Sequence, residues 1–425
     1  MMSVSRIALG AALALGASVV LPVAADAQRA PRGNQQQAQV QAQGRQLTLT
    51  AAERTALVPL DAAARGTDRA AQDSALAAAQ AVVRSPDARY AFARYQMTIA
   101  LQRNDNAMLS SAVDTAIASG VAPPAELPTF LSSQADFAIQ ARDNAKAERA
   151  LTRLAEIRPG DVEVQARLAQ LRVNQGRVGE GLRALQAAIQ ARGATGQPVP
   201  QNWYRFGLAR AHESRDPAVR AQALTFARGL VTAYPSPENW RDALLIYRET
   251  AGLDAAAQLD LWRLMLATRA LAGERDYYEF ANALNQGGYP AEAKAVLDAG
   301  VQRRMVDLGK SGFRELSQVA AGRIPADRAE LSASQRTALA AATGTPALRT
   351  GDAFLGYARY VDAIALYQAA LQKGGVDANV VNTRLGIAYA LAGQRAQAEA
   401  AFRAVAGPRA ELAQFWMLWL QQPGA

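Results

Sequence analysis

The chain has 425 residues, of which 50% are apolar but only 6% are aromatic, and its formal net charge is +9. This length exceeds one compact core, and the excess of alanine over aromatic residues favours packed helices over a sheet. The 46 cations are nearly all arginines scattered singly along the chain, which argues against a basic nucleic-acid-binding tail but is compatible with an anionic partner.

The first 27 residues have the layout of a secretory signal peptide. Arg6 precedes an uncharged stretch over residues 7–25, and the small-x-small site Ala25-Asp26-Ala27 follows. We expect cleavage after Ala27 and a periplasmic or secreted protein. A retained anchor is the alternative, although Pro22 interrupts the apolar stretch. No later stretch reaches about 18 apolar residues, so we expect no stable membrane span after cleavage. The sequence has no cysteine, which excludes disulfides and a lipidated N-terminus.

The rest of the chain divides by composition. Residues 28–46 are rich in Gln and Arg and lack large apolar side chains, which predicts a disordered linker. Residues 47–305 show apolar positions with a period near 3.6 and predict helical repeats. Residues 306–350 contain a Gly-rich stretch and predict an irregular helical segment. Residues 351–425 again predict repeats, followed by a capping helix.

A ladder of small and large residues recurs along the chain, with spacings of 12 and 4 residues inside each set and 34 or 35 residues between neighbouring sets. The sets are Ala135, Ala147, Leu151; Ala169, Gly181, Leu185; Ala281, Ala293, Leu297; Gly351, Ala363, Tyr367; and Gly386, Ala398, Phe402. Two helices that cross closely need a residue with almost no side chain at the crossing. Each set therefore predicts a helix-turn-helix pair in which the Gly or Ala of the first helix meets the Ala 12 positions later.

This pattern is clearest in the stretches AYALAGQRAQAEAAF, YARYVDAIALYQAAL and FANALNQGGYPAEAKAVL, and it resembles the tetratricopeptide repeat. The resemblance implies an all-α fold, an α-solenoid (right-handed superhelix) of about ten helix-turn-helix repeats. It also implies a non-catalytic scaffold that mediates protein-protein interactions, which the signal peptide would place in the cell envelope.

The resemblance indicates where a partner would bind, because the first helices of successive repeats line the concave face of such a solenoid. The positions that we expect to be exposed on this face are Arg275, Tyr278, Asn282, Asn285, Glu163, Gln170 and Tyr204. The lysine and asparagine clamp by which some family members hold C-terminal carboxylates is not reproduced, since Asn282 alone stands in a matching place.

The sequence gives little support to catalysis. His212 is the single histidine, and the motifs for metal and nucleotide binding are missing. The acid pairs Asp352 with Asp362 and Glu156 with Glu163 are interpreted as acids on solvated helices. We therefore expect no enzyme activity, metal or cofactor. Two alternatives stay open: a binder of anionic polysaccharide or envelope glycan, and an envelope hydrolase with two acids about 5 to 10 Å apart in one cleft.

The C-terminal stretch FWMLWL, residues 415–420, concentrates large apolar side chains on a predicted helix. We expect this helix to cap the last repeat. An exposed patch for a partner or a membrane surface is the alternative.

Overall fold

A computed structural model describes residues 40–42 and 45–422 of the chain. The predicted signal peptide and most of the predicted linker lie outside these residues. At the end of the linker, β1 (Val40–Ala42) and β2 (Arg45–Leu47) pair as antiparallel strands, with Val40 opposite Leu47. This part of the segment thus forms a short hairpin where we expected a linker.

The chain divides into two compact units, one up to residue 197 and one from residue 198. After the hairpin, unit 1 contains α1 (Ala51–Arg65), α2 (Arg69–Val82), α3 (Pro86–Arg103), α4 (Asn106–Ala118), α5 (Leu127–Gln140), α6 (Asn144–Ile157), α7 (Val162–Asn174) and α8 (Val178–Ala194). Unit 2 contains α9 (Gln201–His212), α10 (Pro217–Arg220), α11 (Gln222–Ala233), α12 (Pro237–Thr250), α13 (Ala255–Ala267), α14 (Gly273–Gln286), α15 (Pro290–Gln302), α16 (Ser311–Ala340), α17 (Thr345–Gly356), α18 (Tyr360–Lys373), α19 (Ala378–Leu391), α20 (Arg395–Arg403) and α21 (Ala410–Leu420).

Local sequence explains where these helices begin and end. Ser85 accepts a hydrogen bond from the backbone N–H of Ala88, and Pro86 occupies the first turn of α3, where its missing N–H costs nothing. At the other end of α3, Asn104 adopts the left-handed conformation that closes a helix. Short turns of this kind bring consecutive helices together.

The described helices pack mainly as nine consecutive pairs, beginning with α1 and α2 and ending with α19 and α20. The long helix α16 and the C-terminal helix α21 stand outside these pairs. The all-helical prediction of stacked helix pairs is therefore confirmed, with a number of pairs close to the ten that we expected.

The small residues of the ladder lie at the helix crossings. Ala147 and Ala398 are fully buried, and a Cβ atom on Gly386 would lie 2.5 Å from the Phe402 ring. A Cβ atom on Gly351 would likewise lie 2.7 Å from the Tyr367 ring. One detail of the prediction is wrong: the nearest atoms to these two glycines belong to the ring 16 positions later, and the ring fills the space within its own pair.

The segment over residues 306–350 is more regular than we expected. Most of it is the single 30-residue helix α16, which continues through Pro325. Proline removes the hydrogen bond to the carbonyl one turn earlier, at Ala321, but that residue is exposed and water can satisfy its carbonyl. The first half of α16 buries Phe313 and Leu316, whereas much of its second half is exposed.

Unit 2 closes on itself through its last helix. The Phe415 ring of α21 lies 6.2 Å from the Trp240 ring and 5.7 Å from the Tyr247 ring, both on α12. Arg228 of α11 forms an ion pair with Glu411 of α21. Helix α21 also packs against α20, so it joins the last helix pair to helices more than 160 residues earlier. Across the described residues, none of the helices has the length and hydropathy required to cross a membrane.

Candidate protein-binding surfaces

The four candidate residues on α14 do not form one exposed row. Arg275 is exposed, with its side chain 2.6 Å from Glu279 on the same helix. Tyr278 is 40% exposed and contacts the Phe313 ring of α16 edge-on. Asn282 is half-buried. Asn285 is buried and donates a hydrogen bond from Nδ2 to the backbone carbonyl of Leu316, also on α16. The expectation that Asn285 is exposed is wrong, because α16 covers this end of α14.

The other three candidates differ in the same way. Glu163 is exposed and accepts a hydrogen bond from Arg192, and Gln170 is half-buried. Tyr204 is only 9% exposed, since its ring packs over Gly229 and against Tyr234. The expected exposure of Tyr204 is therefore also wrong. Helix register alone predicts the direction of a side chain but does not predict what the next helix covers.

A network of buried charges in unit 2 was missed by the sequence analysis. Asp260 of α13 is fully buried, and its carboxylate lies 2.7 Å from Arg263 and 2.8 Å from Arg409. Arg384 of α19 bridges from Asp260, at 3.7 Å, to Asp352 of α17, at 2.5 Å. These side chains come from helices far apart in sequence and tie the ring of unit 2 together.

Further contacts satisfy the remaining atoms of this network. Arg263 makes a two-pronged contact with Glu292, with both distances 2.8 Å. The hydroxyl of Tyr367 donates to Asp352. Burial raises the pKa of the Asp352 carboxyl, although Arg384 and Arg263 oppose this effect. Asp352 is thus not the solvated acid that we expected, and the network holds its charges against each other.

The single histidine sits at the edge of unit 2. The His212 Nε2 atom lies 3.4 Å from Glu249, and the histidine side chain is 38% exposed. In the part of the chain that the structure describes, no group of three or more His, Cys, Asp or Glu residues could hold a metal ion.

Unit 1 carries an open cleft between α4, α5 and α6, which we call the α4–α6 cleft. Its volume is about 450 Å³, and it is lined by Asp114, Ile117, Ala118, Leu131, Gln134, Lys146, Arg149, Ala150 and Arg153. The three cations lie on α6 at spacings of three and four residues, which places them on one face of the helix. The floor is apolar and comes from all three helices.

The charges in this cleft are not balanced within it. The carboxylate of Asp114 lies 2.5 Å from Lys146 Nζ and accepts a second hydrogen bond from Gln134. Arg149 and Arg153 are exposed, and neither has an ion-pair or hydrogen-bond partner among the described residues. Most arginines on this unit that face a neighbouring helix do have one, as Arg167 has in Asp136. The cleft therefore presents two unpaired guanidinium groups above an apolar floor.

A second cleft, of about 460 Å³, lies in unit 2 where α21 meets α11. Tyr204 lines it, so this candidate residue does border a concave surface despite its burial. The two arginines of this cleft are already paired, Arg228 with Glu411 and Arg403 with Glu399. The α4–α6 cleft is for this reason the stronger candidate for binding a charged partner.

Comparisons with known proteins give little direct guidance. None of the protein-family models matches the chain, and none of the curated proteins does. Among solved structures, a chain of the Naa15/Naa10 complex bound to HypK-THB is similar, with 12% sequence identity and a TM-score of 0.28. The match covers 85% of this chain and 65% of that chain. The fold described above therefore stands on the helix pairs themselves.

Proposed function

We propose that this protein is an exported, non-catalytic scaffold of the tetratricopeptide type, which holds other proteins in the cell envelope. The observation that carries the proposal is the α4–α6 cleft, where an array of helix pairs exposes unpaired arginines beside apolar side chains. Such a mixture of cationic and apolar groups is suited to protein surfaces, which offer carboxylates and aliphatic side chains together. The spacing of small residues at the helix crossings supports the family assignment.

The first 27 residues support the envelope location, through the uncharged stretch and the cleavage pattern at Ala27. The buried charge network supports a structural and non-catalytic role for the acids of unit 2, since Asp260 and Asp352 are both engaged by arginines.

Chemical crosslinking in intact cells, followed by mass spectrometry, tests the proposal. We expect the protein in the envelope fraction with Gln28 as its first residue, crosslinked reproducibly to one or a few proteins. Recovery of glycan and no protein would replace the proposal by the anionic-polysaccharide alternative. A cytoplasmic protein that retains residues 1–27 would contradict the location.

A further inference from the structure

The α4–α6 cleft has a geometry that restricts what it can bind. Arg149 and Arg153 are four residues apart on α6, so their positions differ by about 6 Å along the helix axis. In an extended peptide, side chains two residues apart point the same way at a spacing of about 6.6 Å. Two carboxylates on such a peptide, separated by one residue, match the two guanidinium groups.

The residue between the two acids points to the opposite side of an extended peptide. In the cleft, the side opposite α6 is formed by Ile117 of α4 and Leu131 of α5, which are apolar. An aliphatic side chain at this position would cover them. From this we infer that the α4–α6 cleft binds an extended peptide segment with the pattern acid, aliphatic residue, acid. The inference depends on the proposed scaffold function and adds the chemistry of the partner.

The same cations could attract an anionic glycan, but the floor of the cleft disfavours it. A sugar ring presents hydroxyl groups that need hydrogen-bond partners when they leave water. Gln134 is the one neutral polar side chain of the cleft, and its amide already donates to Asp114. Lys146 is likewise engaged by Asp114, so it contributes long-range attraction and leaves the two arginines to make direct contacts.

The test uses the full-length mature protein and three labelled peptides, with affinity measured by fluorescence anisotropy. The first peptide contains Glu-Leu-Glu between flanking glycines, the second has the order Glu-Glu-Leu, and the third has Gln-Leu-Gln. We expect the first peptide to bind at least 10-fold more tightly than the other two, and its affinity to fall with added salt because the contacts lie at an exposed surface.

Variants locate the binding. Arg149→Ala with Arg153→Ala should weaken the first peptide at least 10-fold, whereas Arg89→Ala with Arg183→Ala removes the same charge from exposed positions outside the cleft and should change little. Arg149→Glu with Arg153→Glu should instead prefer a Lys-Leu-Lys peptide. This reversal would not follow from a loss of folding, and the helical circular dichroism of each variant checks that separately.

Three outcomes would overturn the inference: equal binding of the three peptides, an equal effect of the two double alanine variants, or tight binding of a uronate oligosaccharide with none of the Glu-Leu-Glu peptide. Its failure can be separated from that of the scaffold function. If crosslinking captures the same proteins with the double alanine variant as with the unaltered protein, the scaffold function stands and the inference about this cleft falls.

Discussion

At the scale of single residues, the fold depends on glycines that leave room for a ring. Gly386 lies against Phe402, which is itself 1% exposed and cannot move outward easily. We expect Gly386→Ala to lower the free energy of unfolding by about 1 to 3 kcal/mol, because the added methyl group overpacks the crossing. Urea denaturation measures the change.

Gly322 provides the matched control for this substitution. It also lies inside a helix, but a Cβ atom there would have no neighbour within 4 Å. Gly322→Ala should leave stability unchanged or raise it by up to about 1 kcal/mol, since alanine is the better helix former. Equal effects of the two substitutions would show that the crossing at Gly386 is not tightly packed.

A buried carboxylate makes the stability of unit 1 depend on pH. Glu53 at the start of α1 is 3% exposed and accepts hydrogen bonds from the backbone N–H groups of Thr50, Arg84 and Ser85. Burial alone would raise its pKa, but these donors lower the pKa to about 2 from the ordinary value of 4.5. The ionised form thereby stabilises the folded chain at every pH above 4.5, and this contribution is lost as the pH falls from there towards 2.

Substitution of Glu53 by glutamine tests this dependence. We expect Glu53→Gln to be less stable than the unaltered protein at pH 7 by about 2 kcal/mol. The difference should shrink as the pH is lowered through about 4 towards 2, because the native carboxylate then becomes protonated. Thermal unfolding followed by circular dichroism at several pH values measures it, and parallel curves for the two proteins would contradict the assignment.

At the scale of elements, the closure of unit 2 by α21 is the main packing feature. Phe415 is fully buried between Trp240 and Tyr247 of α12. We expect a double-mutant cycle between Phe415→Leu and Trp240→Leu to give a coupling energy of about 0.5 to 1.5 kcal/mol, as aromatic pairs in contact do. Chemical denaturation of the four proteins provides the values.

A second cycle controls for general loss of packing. It combines Phe415→Leu with Phe354→Leu, a substitution of a fully buried ring on α17. These two changes should be additive within about 0.5 kcal/mol. A coupling near zero for Phe415 with Trp240 would mean that α21 does not dock on α12.

The elements themselves were largely predictable from the sequence, because short-range physics determines them. The spacing of Gly386, Ala398 and Phe402 is set by the contact of two neighbouring helices and is visible in a window of about 34 residues. The continuous helix α16 was not predicted, since Pro325 and the glycines before it are normally helix breakers. Exposure on one side of α16 removes much of that cost.

The long-range contacts were not predictable for a definite reason. Asp260 and Asp352 each stand on a helix that could equally face water, and only the arrival of Arg384 and Arg409 from distant helices makes their burial favourable. Asn285 was likewise assigned to the exposed face, since its register does not reveal that α16 covers it. Periodicity indicates which face of a helix is apolar but carries no information on pairing across 100 residues or more.

At the scale of the whole molecule, the two units differ in what they offer to a partner. Unit 2 uses its charges internally, through the network around Asp260, and buries much of its C-terminal aromatic cluster. Unit 1 leaves Arg149 and Arg153 unpaired beside an apolar floor. The account therefore assigns binding to unit 1 in the first place, although the sequence analysis had placed its strongest candidates, Arg275 and Tyr278, in unit 2.

Site-specific photo-crosslinking in intact cells tests this account most directly. A photoreactive residue would replace Ala118, which is exposed in the α4–α6 cleft, or Gln190, which is exposed on α8 outside it. We predict protein adducts from position 118 that are absent from position 190 and disappear when Arg149 and Arg153 are both alanine. Adducts that form equally at both positions, or adducts at position 118 that persist without the two arginines, would contradict the account.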